Sequence, residues 1–341
     1  MSGHIDRTDK TEKIEGIIMK GVGGLYTVRL PLNTDDPDAP RYVTCPARGK
    51  FRHENVTPYP GDRVILEKES DAWAVGEILP RRTTLHRPAI ENVTHLVAVI
   101  PAAKPKPDLE TVDKLICCAE SAGIEPIIVV NKADLDRTEA ERIERIYVRA
   151  GFTVFLISAA TGEGVGSVKE YLSDLAKAGA DKPGADTSEA NTSDTAYVSI
   201  VFSGASGAGK STLLTALFPD LDLRTGDVSR KTSRGRHTTR TAELFEISDG
   251  LFLADTPGFT MLDFANYNFF PHSELCGLFR EFLPYTGDCR YTKCTHLCEE
   301  GCRVCEAVES GAIPAERHEN YKRIYAEMKK TPDWKRRQME W

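Results

Sequence analysis

Gly204-Ala205-Ser206-Gly207-Ala208-Gly209-Lys210-Ser211 has the residue types and spacing of a phosphate-binding loop. Glycines let backbone N–H groups close around phosphate oxygens, and a helix N-terminus behind them adds positive potential. Lys210 can reach the β- and γ-phosphates of a nucleotide, and Ser211 can ligate Mg²⁺. Thr212 continues the same contact at the helix start. A Gly-rich turn arising by chance is the competing reading. The strand-like YVSIVFSG before the loop and the apolar TLLTALF after it weigh against that.

Three further short motifs gain meaning beside such a loop. Asp255-Thr256-Pro257-Gly258 ends the strand-like LFLAD. It offers a carboxylate near Mg²⁺, through water, and a glycine N–H for the γ-phosphate. Lys210 and Asp255 are the groups expected to act on the reacting phosphate. Asn131-Lys132-Ala133-Asp134 follows the apolar EPIIVV. A carboxylate at Asp134 can accept from both guanine N1–H and the exocyclic amine, a donor pair that adenine lacks. Lys132 can lay its aliphatic stem over the base, and Ser158-Ala159 after FTVFLI supports the base from the other side. Read alone, each of these is an ordinary strand-end or helix-capping turn.

A second chemistry-bearing cluster lies downstream. Five of the nine cysteines fall between Cys289 and Cys305. Cys289, Cys294, His296 and Cys302 supply three sulfurs and one imidazole, a closed tetrahedral Zn²⁺ set with no position left for substrate. Cys298 and Cys305 are spare, and by spacing alone Cys305 could replace Cys302. Metal binding is preferred to disulfides for a cytosolic chain.

The elements that must position these residues come in three styles. Residues 14–80 read as short strands with glycine turns, including Gly61-Asp62, and fit a five-stranded barrel. From Val93 apolar strands alternate with helical runs such as LETVDKLICCAESAG, which predicts a parallel α/β sheet. Residues 178–196 are small and polar, a linker. Past Asp263 the pattern is helical and Cys-rich. In AERHENYKRIYAEMKK the spacing predicts a helix that packs Tyr321 and Ile324, and the tail TPDWKRRQMEW is basic with two Trp. The expected division is a barrel over 1–80 with 1–12 disordered, an α/β nucleotide domain over 81–264, and a helical zinc domain over 265–341.

Bulk properties exclude some classes. The chain has 341 residues and a net charge of −7, so nucleic-acid contact must come from local basic patches. One such patch is 224–240, with six Lys/Arg and one acidic residue. No apolar run of about 18 residues exists to span a membrane, and the polar N-terminus is no secretory signal. A monomer in the cytoplasm is the expected state.

The motifs resemble the GTPase set, but Asn131 and Ser158 precede Gly204 and Asp255, the reverse of the usual order. A fold with neighbouring termini tolerates such a circular permutation, with 178–196 as the rejoined connection. This order, the preceding barrel, the Cys/His cluster and the stretches ARGKFR, GEILPRRTTLHRP, GRHTT and DTPGF resemble the ribosome small-subunit-dependent GTPase A family over nearly the whole chain. The resemblance implies GTP hydrolysis stimulated by the small ribosomal subunit late in its maturation. It also implies an OB-type barrel and a zinc domain that helps bind rRNA. The family pattern favours Cys289, Cys294, His296 and Cys302 as zinc ligands. Phe259 stands where many GTPases carry a water-orienting glutamine. Gly235-Arg236-His237-Thr238-Thr239 resembles the family's first switch loop, in which His237 would position water and Thr238 or Thr239 would sense Mg²⁺ and the γ-phosphate. The alternatives are an RNA-binding module with a structural, slowly turned-over guanine nucleotide, or an adenine-specific ATPase, against which Asp134 weighs.

Overall fold

A computed structural model of the chain describes residues 12–31, 39–54, 56–69, 72–86, 89–180, 197–219, 221, 242–255 and 270–330. They fall into two compact units, one within Met1–Asn92 and Thr239–Phe245, the other within Val93–Thr238 and Glu246–Trp341.

In the first unit, apolar residues at alternate positions put Ile18, Val28, Val64, Leu66 and Val75 on one buried face. The strands are β1 (Glu12–Val22), β2 (Leu25–Arg29), β3 (Tyr42–Pro46), β4 (Arg63–Glu69) and β5 (Ala72–Ile78), ordered β3-β2-β1-β4-β5 and antiparallel throughout. A bridge between Ala47 and Val75 joins the two edges, so the sheet closes into the predicted five-stranded barrel. One helical turn, α1 (Lys50–His53), follows β3, and a two-stranded ribbon of β6 (Thr84–His86) and β7 (Ala89–Glu91) follows β5. Arg81 pairs with buried Asp62 at 2.8 Å and with buried Glu91 at 3.2 Å, tying the ribbon to the turn before β4.

The second unit is built on β8 (His95–Pro101), β9 (Glu125–Asn131), β10 (Thr153–Leu156), β11 (Val198–Ser203) and β13 (Leu251–Asp255), and their sheet includes β12 (Glu243–Ser248), of which Glu246–Ser248 belong to this unit. The sheet order is β10-β9-β8-β11-β13-β12, and the first five strands run parallel. Their near-continuous apolar runs fit a sheet covered on both faces. Helices α2 (Leu109–Ser121), α3 (Arg137–Arg149), α4 (Val165–Ala180) and α5 (Lys210–Leu217) make the crossovers. Asp108 caps α2 by accepting from the Thr111 amide, and Asp136 caps α3 by accepting from the Glu139 amide.

The same unit holds the C-terminal elements: two 3-10 segments at His272–Leu278 and Arg280–Tyr285, then α6 (Arg303–Glu309) and α7 (Ala315–Lys330). Phe279, Phe282, Tyr321 and Ile324 form their core, and Cys117 of α2 belongs to it. Tyr321 and Ile324 are buried, as the helical spacing predicts. The deepest contact with α2 is ionic. Arg317, fully buried, donates to Asp113 at 2.6 Å and to Glu281 at 2.7 and 3.1 Å. Tyr147 and Asn320 donate to the same Asp113 carboxylate. Burial works against the guanidinium charge, but Asp113 and Glu281 outweigh it and push the Arg317 pKa up.

Candidate functional site

The loops of Asn131, Ser158 and Gly204, and the strand end at Asp255, sit at the carboxyl edge of this sheet, where open α/β folds bind ligands. Asn131 is the last residue of β9 and Asp255 the last of β13. Ser158 follows β10 by two residues, and Gly204 follows β11 directly. Across the sheet β10 neighbours β9 and β11 neighbours β13, with β8 between the two pairs, although the chain visits them in permuted order.

Asn131 clasps three of these loops. Its Oδ1 accepts from the amides of Lys132 (2.8 Å) and Ala159 (3.0 Å), and its Nδ2 donates to the Ala208 carbonyl at 2.9 Å. The base loops and the phosphate loop are thereby fixed to one buried side chain. Close approach of neighbouring groups sets two of the glycines. Gly209 has φ +94°, and a Cβ there would stand 2.3 Å from Asn131 Nδ2. Gly204 has φ +147°, and its Cβ would stand 2.2 Å from the Val99 carbonyl. Only glycine fits either position.

The charged groups are poised around the clasp. Lys210 Nζ donates to the carbonyls of Gly204 (2.7 Å) and Ala205 (3.0 Å), so the ammonium lies inside its own loop, and burial lowers its pKa. Lys132 Nζ donates to the Gly207 carbonyl at 2.8 Å and to the Lys104 carbonyl. Ala133 is buried, with its amide on the Ile157 carbonyl, while Asp134 projects into solvent. Ser158 is buried, and its Oγ accepts from the Thr161 amide. Ser206, Gly207, Ser211 and Thr212 are exposed. A base can thus meet Asp134, and phosphates can meet the loop backbone, without displacing core groups. His237, Thr238, Thr239, Gly258 and Phe259 lie outside the described residues, as does the Asp255 side chain.

One participant has no motif. The loop 102–107 after β8 supplies the Lys104 carbonyl to Lys132, and Pro105 Cδ lies 3.5 Å from where a Cβ on Gly207 would stand. The Lys/Pro-rich run AAKPKP directly after the strand THLVAVI was the only signal for it. Among described non-glycine residues, positive φ occurs at Asn92, Lys104, Lys132 and His296. Three of the four belong to this site or to the cysteine cluster, where backbone strain of about 1–3 kcal/mol each is held by surrounding bonds.

The cysteine cluster converges as spaced. The ligand atoms of Cys289, Cys294, His296 and Cys302 all lie within 4.8 Å of one another. His296 Nδ1 stands 3.7 Å from Cys289 Sγ and 3.4 Å from Cys302 Sγ. A tetrahedral Zn²⁺ with ordinary Zn–S and Zn–N bonds gives ligand separations of about 3.5–3.8 Å, so the donor set fits the ion in size and softness. Cys305 instead points its Sγ at the His296 carbonyl, 3.9 Å away, and Cys298 is exposed. His318 Nε2 makes a 2.7 Å bond to the same carbonyl. Glu299 braces the turn. Burial would raise its carboxyl, yet the Thr295 hydroxyl and nearby amides hold it at about 2.

Fold and site together define a class: a circularly permuted P-loop GTPase domain behind a closed β-barrel. The chain matches the family model for the RsgA GTPase over residues 78–180 and 184–265, and that for the RsgA N-terminal domain over 15–75. It is 37% identical over 328 residues to the small ribosomal subunit biogenesis GTPase RsgA of Ruminiclostridium cellulolyticum, covering 95% of this chain and 97% of that protein. It is 38% identical over 316 residues to the protein of the same name from Moorella thermoacetica, covering 92% and 97%. Among solved structures it resembles YjeQ from Thermotoga maritima, with a TM-score of 0.71 and 30% identity over 93% of this chain and 99% of that one. It also resembles YloQ, a circularly permuted GTPase, with a TM-score of 0.69 and 29% identity over 96% and 98%. The chain belongs to the RsgA GTPase family.

Proposed function

We propose that this protein binds GTP at the clasp of Asn131, hydrolyses it when seated on the small ribosomal subunit, and so acts in the late maturation of that subunit. The clasp carries the reading, because it joins a guanine-selective loop to a phosphate loop through one side chain. The relatives' names supply the ribosomal setting. Asp134 reads the guanine edge, Lys132 covers the base, and Ser158-Ala159 supports it. The backbone of Gly204–Gly209 and the Lys210 ammonium neutralise phosphate charge. Ser211 would ligate Mg²⁺, with Asp255 reaching it through water, and the ion would supply charge neutralisation for the phosphates. Zinc on Cys289, Cys294, His296 and Cys302 is structural and shapes an rRNA-binding surface. No helix among the described residues is long and apolar enough to cross a membrane, and the cytoplasm follows from the ribosomal partner.

Asp134→Asn tests the base assignment. An amide at this position donates where xanthine presents a carbonyl, so preference should move from guanine to xanthine nucleotides. Unchanged guanine affinity in a binding titration would refute the role. For His237, the expectation is that His237→Ala loses subunit-stimulated turnover and keeps GTP affinity. Retained stimulation would remove it from the mechanism.

A further inference from the structure

The loop 102–107 is gripped from both halves of the nucleotide site. Lys132, from the base loop, donates to the Lys104 carbonyl. The same Lys132 Nζ donates to the Gly207 carbonyl of the phosphate loop at 2.8 Å, so one ammonium ties loop 102–107 to both halves. Three residues beyond Pro105, Asp108 caps α2 through the amide and hydroxyl of Thr111, at 3.2 and 2.7 Å. The gripped loop thus runs directly into the capped first turn of α2.

The next turn of α2 is held by α7. Asp113 accepts from Arg317 at 2.6 Å and from Asn320 at 2.7 Å, all three buried. Lys114 reaches Glu327 at 2.6 Å. Arg317 is fixed in turn by Glu281 in the second 3-10 segment. Close-packed interiors do not deform continuously, so a change in the position or rigidity of α2 must be taken up by α7.

We infer that α2 transmits occupancy of the nucleotide site to the C-terminal helices, with Arg317 as the positioning residue of that link. The inference rests on the reading of this site as a guanine-nucleotide site. It has a definite ligand dependence. The group that grips loop 102–107 is Lys132, assigned to the base and bonded also to the phosphate-loop backbone, and GDP and GTP meet both alike. The link therefore distinguishes a filled site from an empty one, whereas a γ-phosphate signal belongs to the switch loops. Coupling is reciprocal, so a partner on the C-terminal helices changes retention of either nucleotide by the factor by which that nucleotide changes the partner's affinity.

Hydrogen exchange on the full chain reads the link directly. Samples are empty, GDP-bound and bound to a non-hydrolysable GTP analogue. Amides of α7 should exchange at least about fivefold more slowly in both filled states, and equally so. Arg317→Lys keeps the charge but loses the two-carboxylate geometry, and should abolish this nucleotide-dependent slowing while the phosphate-loop amides stay protected. Glu327→Gln, which removes only the surface pair with Lys114, should weaken the slowing and serves if Arg317→Lys does not fold. A merely structural Arg317 would instead raise α7 exchange equally in empty and filled protein. Protection of the phosphate loop and 102–107 with no change in α7 would overturn the link alone. Protection of α7 by the analogue but not by GDP would overturn the occupancy reading. Failure to bind either nucleotide would overturn the site assignment as well.

Discussion

Asn131 and Arg317 each tie together three pieces of chain that are far apart in sequence, and they do it with opposite electrostatics. Asn131 is neutral, and its partners are backbone groups of Lys132, Ala159 and Ala208. Arg317 is charged, and its strongest partners are the carboxylates of Asp113 and Glu281. The neutral hub leaves the charges of the nucleotide site, Lys132, Asp134 and Lys210, available for a ligand. The ionic hub is buried, with its cation held between two carboxylates and out of reach of a ligand. A binding site must admit a change of occupant, so its scaffold is neutral. A fastening between elements needs no such freedom and can be saturated.

The largest expected effect lies at the ionic hub. Arg317→Ala leaves two carboxylates buried without their cation and should destabilise the fold by about 3–5 kcal/mol in urea unfolding. Asp113→Ala should cost a similar amount, and the double variant should cost less than the sum. A loss near zero would mean that the node is hydrated and not a fastening.

Asn131→Ala should cost less stability, about 1–3 kcal/mol for the unpaired amides and carbonyl. Its effect on ligand should be greater, with GTP affinity falling about tenfold or more as the loops lose their common anchor. Equal stability losses at the two hubs, with GTP affinity intact in Asn131→Ala, would erase the comparison.

The smallest effect is a pH dependence in the metal region. The folded Glu299 pKa of about 2 lies below the unfolded value of about 4.3. Its contribution is therefore full above about pH 5 and is lost as pH falls towards 2. Glu299→Gln should show a shallower fall in stability over that range than the parent chain. Identical acid profiles would show that the Thr295–Cys298 turn does not depend on this carboxylate.

The sequence made the neutral hub's loops legible and hid the ionic one. Loop motifs are local: Asn131, Asp134, Gly204 and Lys210 announce their chemistry through near neighbours and flanking strands. The barrel and the parallel sheet were legible from apolar alternation and apolar runs for the same reason. Arg317 stands in AERHENYKRIY, where an arginine reads as a solvated helix charge. Its partner Asp113 is 204 residues away, and only tertiary packing buries both. Loop 102–107 stayed hidden because it acts through the Lys104 carbonyl, a group every residue carries. The cysteine spacing left Cys305 open as a replacement for Cys302. In three dimensions the Cys302 sulfur converges with Cys289, Cys294 and His296, whereas Cys305 turns towards the His296 carbonyl.

Turnover of GTP and ATP by the purified protein, with and without small ribosomal subunits, tests the central claim most directly. Hydrolysis should be slow for the protein alone, because Phe259 cannot orient water, and should rise strongly with subunits for GTP and not for ATP. Absence of any rise, or equal turnover of ATP, would contradict it.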